Sequence, residues 1–170
     1  DTTIKFTMAT TFFTANEAKG GYLQVESAAA LGHCYRIFKN TATAAATTTC
    51  TVTLVPGVSV RVALTTSHKV TAMQNLWFKT IVQPATTPTG VSVGVNQVLI
   101  AAAAYGWLQT RGVASCLIAG VEVVGNSLTD TGTAGAIGPN ADATPLGPIY
   151  GHAIEVAPTT DFGIIWLSLE

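Results

Sequence analysis

Charge is scarce in this chain. Lysine, arginine, aspartate and glutamate make up 10% of its 170 residues, where globular proteins average roughly 25%. A net charge of -1 supplies no basic field for nucleic acid and little repulsion to hold copies apart. The surface must then be threonine, serine, alanine and glycine, a covering suited to lying against other protein. Long hydrophobic runs are missing too, although 48% of residues are hydrophobic. The longest, Val98 to Ala104, is mostly alanine and falls far short of the roughly 20 apolar residues of a spanning helix, so no membrane partner is expected. Asp1-Thr2-Thr3-Ile4-Lys5 has neither the basic region nor the apolar stretch of a secretory signal; the expectation is that none exists or that it was removed. The three cysteines, Cys34, Cys50 and Cys116, are odd in number and lack C-x-x-C spacing, which argues against a disulfide framework and against zinc. Cys34 and Cys50 could face each other across neighbouring strands; buried free thiols and an intracellular folding compartment are the expectation.

What remains is dense in β-branched residues and short alternations. Ile4, Phe6 and Met8 alternate with mostly polar partners, and the segment running on to Phe13 reads as an edge strand or extended arm, giving residues 1–20 as an N-terminal arm and 21–170 as a single β-rich domain. Asn16 to Gly21 reads as a turn, and Tyr22 to Glu26 as a short strand. From Gly32 to Asn40, His33, Tyr35, Ile37 and Lys39 fall on one face and Cys34, Arg36 and Phe38 on the other, which predicts burial on one side and a partner on the other. The Thr/Ala-rich stretch from Asn40 to Thr53 is expected to be extended. Pro56-Gly57 between Thr51–Val55 and Val58–Leu64 is the best hairpin signal. Further strands are expected at His68–Met73, Leu76–Val82, Val91–Val95, Cys116–Gly120, Val121–Gly125, Ile149–Val156 and Phe162–Leu169, the last apolar on both faces and so central or covered.

The chain centres on Tyr105-Gly106-Trp107-Leu108-Gln109-Thr110-Arg111-Gly112. Tyr105, Trp107 and Gln109 share one face of a predicted central strand, while Gly106 on the other face leaves room for a close neighbour. Short strands at spacings near roughly ten residues, with Gly/Pro/Asn turns, predict an all-β sandwich or barrel of short antiparallel strands. Residues 125–148, rich in glycine and proline, read as an extended loop that orders against a neighbour.

Candidate chemistry is thin. His33, His68 and His152 are widely spaced and form no metal motif. Adjacent strand residues point to opposite faces, so His33 is poorly placed as a base for Cys34. Cys116 sits in an apolar run where a thiol is inert, and its pairing with His152 rests on no motif. Gly132-Thr133-Ala134-Gly135-Ala136-Ile137-Gly138 lacks the Lys-Ser/Thr and the helix of a phosphate loop. Glu122, placed in a strand, and Asp130, Asp142, Glu155 and Asp161, in loops or near strand ends, declare no pair for glycoside hydrolysis. Tyr22, Tyr35, Trp77, Trp107 and Trp166 could line a carbohydrate platform, with core packing as the favoured role. No catalytic, cofactor or metal residues are assigned.

The Tyr105–Ala114 stretch, with Leu117-Ile118-Ala119-Gly120 and Ala134-Gly135-Ala136 after it, resembles structural proteins of tailed bacteriophages. So do the upstream Gly32-His33-Cys34-Tyr35-Arg36-Ile37-Phe38-Lys39-Asn40, the closing Gly151-His152-Ala153, and Phe162-Gly163-Ile164-Ile165-Trp166-Leu167. The likeness runs from about Tyr22 to the end, in the order of a capsid decoration or cement protein. That resemblance implies a non-enzymatic virion protein that binds the major capsid protein on the outer shell as a homo-oligomer, a trimer, and reinforces the shell. Loops and the N-terminal arm would make the contacts between subunits. The competing expectation is a carbohydrate-binding β-sandwich.

Overall fold

A computed structural model describes residues 1–9, 13–27, 30–45, 48–86, 89–140 and 148–169, which are all-β, with no α-helix among them. By contact the chain divides into two compact units, Asp1–Phe78 and Lys79–Glu170. The boundary expected from sequence, at residues 20/21, instead falls inside the first unit, because the N-terminal strand is paired into the same sheet as the strands that follow.

The first unit holds β1 (Thr3–Thr7), β2 (Tyr22–Val25), β3 (Cys34–Asn40), β4 (Thr49–Leu54) and β5 (Val70–Met73). They form one sheet in the order β1-β4-β3-β2-β5, every neighbouring pair antiparallel. β1 is thus the edge strand that the alternation of Ile4 and Phe6 predicted; Phe12, in the same expected segment, lies outside the described residues. β3 follows its sequence pattern: Tyr35 and Ile37 are buried and Cys34, Arg36 and Phe38 face outward. A register shift between Ile37 and Lys39 then turns Lys39 out and Asn40 in. The buried core gathers Leu23, Val25, Ile37, Cys50, Val52 and Leu54 around Phe13 and Ala18. Pro56-Gly57 does make a turn, but no strand follows it. Val58, Val60, Val62 and Leu64 keep their alternation and pack on the core as an irregular extended segment without a ladder partner.

Asn40, carried inward by the bulge, secures the turn before β2. Its Oδ1 accepts from Ala18 N at 2.9 Å, and its Nδ2 donates to Thr14 O at 3.0 Å and Thr41 O at 2.9 Å. The Asn40→Ala variant is expected to lose about 2–3 kcal/mol, since it orphans a buried N–H; urea unfolding measures this, and a loss under about 0.5 kcal/mol would show that the bonds are replaced by water.

The second unit begins with an irregular segment, 79–110, and then forms β6 (Arg111–Ile118), β7 (Ser127–Asp130), β8 (Ala136–Pro139), β9 (Gly151–Ala153) and β10 (Phe162–Ser168). These close into a barrel in the order β10-β6-β8-β7-β9, with β9 returning to β10. All its pairs are antiparallel except β6–β8. Inward-facing Ala114, Cys116, Ile118, Leu128, Ile165 and Leu167 fill it. The expected loop over 125–148 is therefore corrected: β7 and β8 lie within it, short strands whose polar and glycine-rich sequence gives no hydrophobic alternation. Pro145 and Gly147 of that stretch lie outside the described residues.

Candidate interaction surface

The Tyr105 stretch is not a central strand. Val95 and Gln109 form an isolated antiparallel bridge, with Val95 N to Gln109 O at 2.9 Å and Gln109 N to Val95 O at 2.8 Å. It joins the legs of a narrow finger, residues 94–109. The finger reverses where Ala104 N donates to Ala101 O at 3.1 Å, with Ala103 in the left-handed region at φ 60°. Gly106 does admit a close neighbour, as its position in the sequence suggested, but the neighbour belongs to the finger itself. A Cβ there would stand 2.3 Å from Ile100 Cδ1. At the neck, a Cβ on Gly94 would meet Leu108 Cβ at 2.6 Å. The two legs therefore pack on each other through these glycines, and the large side chains turn outward: Leu99 is 94% exposed, Tyr105 103% and Trp107 92%.

The neck is tied to the barrel by side-chain amides. Most of β6 before Leu117 has no strand on its second edge, and Gln109 Nε2 takes that place by donating to Arg111 O at 3.0 Å and Val113 O at 2.8 Å. Ser115 N donates to Gln97 Oε1 at 3.4 Å. Further upstream, Gln83 Nε2 donates to Asp130 Oδ1 at 2.6 Å, and Gly135 N to Gln83 O at 3.0 Å. Ser92 Oγ donates to the Tyr150 hydroxyl at 3.0 Å, which in turn donates to Asp130. Burial, then the bond to Asp130, pushes the Tyr150 phenol up to about 12, so it remains a donor through the physiological range. Sequence reasoning named none of Gln83, Ser92, Gln97 or Gln109 as an anchor. Lone polar residues in an irregular stretch carry no periodic signal.

A second apolar surface lies on the outside of the barrel. In β10, Gly163, Ile165 and Leu167 point inward, leaving Phe162 65%, Ile164 41% and Trp166 46% exposed. The register sets Trp166 opposite the exposed Val113 and Ile164 opposite Ser115 of β6. The strand is apolar on both faces as read, and it is paired on both edges by β6 and β9, but its outer face remains about half exposed. The expectation that the aromatics serve core packing is corrected likewise. Tyr35 is buried, whereas Tyr22, Trp77, Trp107 and Trp166 are all well exposed.

The reactive side chains do not converge. His33 Nδ1 lies 3.1 Å from the Tyr35 hydroxyl, and Cys34 is exposed on the opposite face. All three thiols are free. Cys50 is buried, so it and Cys34 occupy opposite faces of the sheet and do not meet; the expectation that every thiol is buried fails at Cys34. Cys116 points into the barrel, where desolvation, then the charge of Glu122, lifts its thiol to about 11, while His152 faces out from β9. His68 Nδ1 accepts from Thr65 N at 2.9 Å, and its Nε2 has no partner. The segment 132–138 forms a turn into β8 rather than into a helix. Glu155 Oε1 accepts from Ile164 N at 2.9 Å, and Asp161 Oδ1 from Phe162 N at 2.8 Å; Asp142 lies outside the described residues. No group of three metal-ligating side chains occurs among the described residues.

Glu122 departs most from its sequence reading. It lies outside any strand and is fully buried, while Val121, Val123 and Val124 face outward. Gly120, in the left-handed region at φ 113°, follows the end of β6 at Ile118, and Glu122 keeps the inward parity of Ala114, Cys116 and Ile118 although the ladder has ended. Neither Glu122 carboxyl oxygen has a hydrogen-bond partner, and burial, then the nearby Glu155, raises its pKa.

The chain matches no protein-family model, and no similar curated protein or solved structure was found.

Proposed function

We propose that this chain is a non-enzymatic structural protein of a tailed-phage virion, binding the major capsid protein on the outer shell and stabilising it through contacts between subunits, as a homo-oligomer, a trimer. The observation that carries the reading is the uncovered apolar surface of the second unit, with Tyr105 and Trp107 standing almost wholly in solvent on a finger whose legs are packed and tethered. Contiguous apolar surface beyond a few hundred Å² marks a site for another macromolecule, and rigid Trp and Tyr anchors are the side chains that dominate interface energies. Charge is sparse enough that little desolvation opposes such contacts. The likeness of the Tyr105 stretch to capsid decoration proteins supplies the particular partner.

Co-sedimentation of the purified chain with expanded tailed-phage shells tests the proposal. Saturable binding, weakened at least about tenfold by Trp107→Asp, is the expected result; a chain that stays in the supernatant with its finger intact contradicts it. A second reading, carbohydrate binding, is favoured by one feature: Tyr105, Gly106 and Trp107 line a shallow open cleft, and exposed rings stack on sugar faces. Glycan-array binding that disappears with Tyr105→Ala, and no association with shells, would establish that reading instead.

A further inference from the structure

We infer that the finger of one copy seats on the outer face of the β6–β10 ladder of a second copy, so that this chain assembles head to tail. The inference deepens the proposed structural role and rests on it only in taking the chain to work by contacts with protein neighbours. Both surfaces belong to the unit Lys79–Glu170, and both are exposed within one copy, so neither covers the other there. The finger presents Val98, Leu99, Tyr105 and Trp107; the face presents Val113, Phe162, Ile164 and Trp166. From these exposures, and about 150–250 Å² for a whole aromatic side chain, the finger offers on the order of 700 Å² and the face on the order of 400 Å². When fully covered, the two together clear the roughly 1,000 Å² expected of a biological interface before any polar rim is counted.

The chemistry of the two surfaces matches. Arg111 at one end is the only charged residue within β6 and β10, and the carboxylates beside β10, Glu155 and Asp161, already accept from Ile164 N and Phe162 N, so an aromatic finger can seat without leaving an unpaired charge. Ser115 and His152 flank the apolar residues of the face through the β6–β10 and β9–β10 registers, giving it the polar rim that interfaces carry. The finger is also preorganised by its bridge and by the Ile100–Gly106 contact, which lowers the ordering cost of docking. Because finger and face are different surfaces, the contact is heterologous. It closes a ring or continues as a chain, according to the rotation between copies.

Sedimentation equilibrium of the purified chain, of Trp107→Asp (finger broken), of Trp166→Asp (face broken) and of their equimolar mixture tests this. The wild type is expected as a multiple of 17.5 kDa and each variant as a monomer. The mixture is expected to form a two-copy species and nothing larger, since it retains one intact finger paired with one intact face. Phe162→Ser, at a more exposed position, replaces Trp166→Asp if that variant fails to fold. A monomeric wild type, either variant assembling as the wild type does, or a mixture that stays monomeric would overturn the inference. The expected pattern without shell binding would remove the capsid reading and leave the contact between copies standing.

Discussion

Replacing Glu122 with leucine will stabilise the unit Lys79–Glu170 at alkaline pH and lose most of that advantage in acid. The carboxyl is fully buried, neither oxygen has a partner, and burial followed by the charge of Glu155 raises its pKa. Cys116 from β6, its other titratable neighbour, stays protonated with a pKa near 11. Between the ordinary carboxylate value and the raised folded one, the native state holds a proton that the unfolded chain has released. Wild-type stability therefore falls as pH rises through that window, and the loss is complete above the folded pKa. Leucine has no such dependence. The variant should gain about 1–3 kcal/mol at pH 8, the usual cost of an unpaired buried polar group, and a smaller amount at pH 4. Glu122→Gln, which removes the charge but keeps an unpartnered amide, should gain less. Hydrogen exchange at the Ile118 and Ile165 amides reads the local stability. A pH-independent difference between Glu122→Leu and wild type would mean that water reaches the carboxylate.

The Gly151→Ala substitution is expected to cost about 3 kcal/mol or more, because it strikes where the barrel closes. Gly151 pairs with Leu128 of β7 on one side and Leu167 of β10 on the other. A Cβ at Gly151 would lie 2.0 Å from Trp166 O and 2.9 Å from Trp166 C. Those are backbone atoms fixed in a paired strand, so the clash cannot be relieved by a rotamer change, and β9 must move away from β10. Gly132→Ala is the control: no atom lies within 4 Å of its added Cβ, and its stability should stay within about 0.5 kcal/mol of wild type. Hydrogen exchange across β9 and β10 makes the comparison; equal protection in the two variants would show that the barrel does not depend on close approach at β9.

The strands that bury one face were legible in the sequence. In β3 the pattern marked the element and the split between Tyr35 and Ile37 on one face and Cys34, Arg36 and Phe38 on the other, because a period of two maps directly onto a pleated, half-buried strand; in β10, apolar on both faces, it marked the element but not which face points inward. The Tyr105 finger was misplaced for a physical reason. An apolar side chain awaiting a neighbour carries the same pattern as one already in a core, so Tyr105 and Trp107 suggest burial without saying by what. β7 and β8 were missed because Ser127–Asp130 and Ala136–Pro139 are held by a closed ladder rather than by alternating hydrophobicity. Glu122 was misread as a strand residue because Val121-Glu122-Val123-Val124 is β-branched and alternating, while the ladder ends at Ile118 and no strand resumes before β7.

The proposed role requires Tyr105 and Trp107 to be covered by protein when the molecule is at work. Hydroxyl-radical footprinting of the intact chain, across a concentration series and with expanded capsid shells added, measures this at the two side chains themselves. Strong protection of both is expected as concentration rises and when shells are present, with little change at Trp77, which is exposed on the first unit. Full reactivity of Tyr105 and Trp107 at every concentration, with and without shells, would contradict the proposed role.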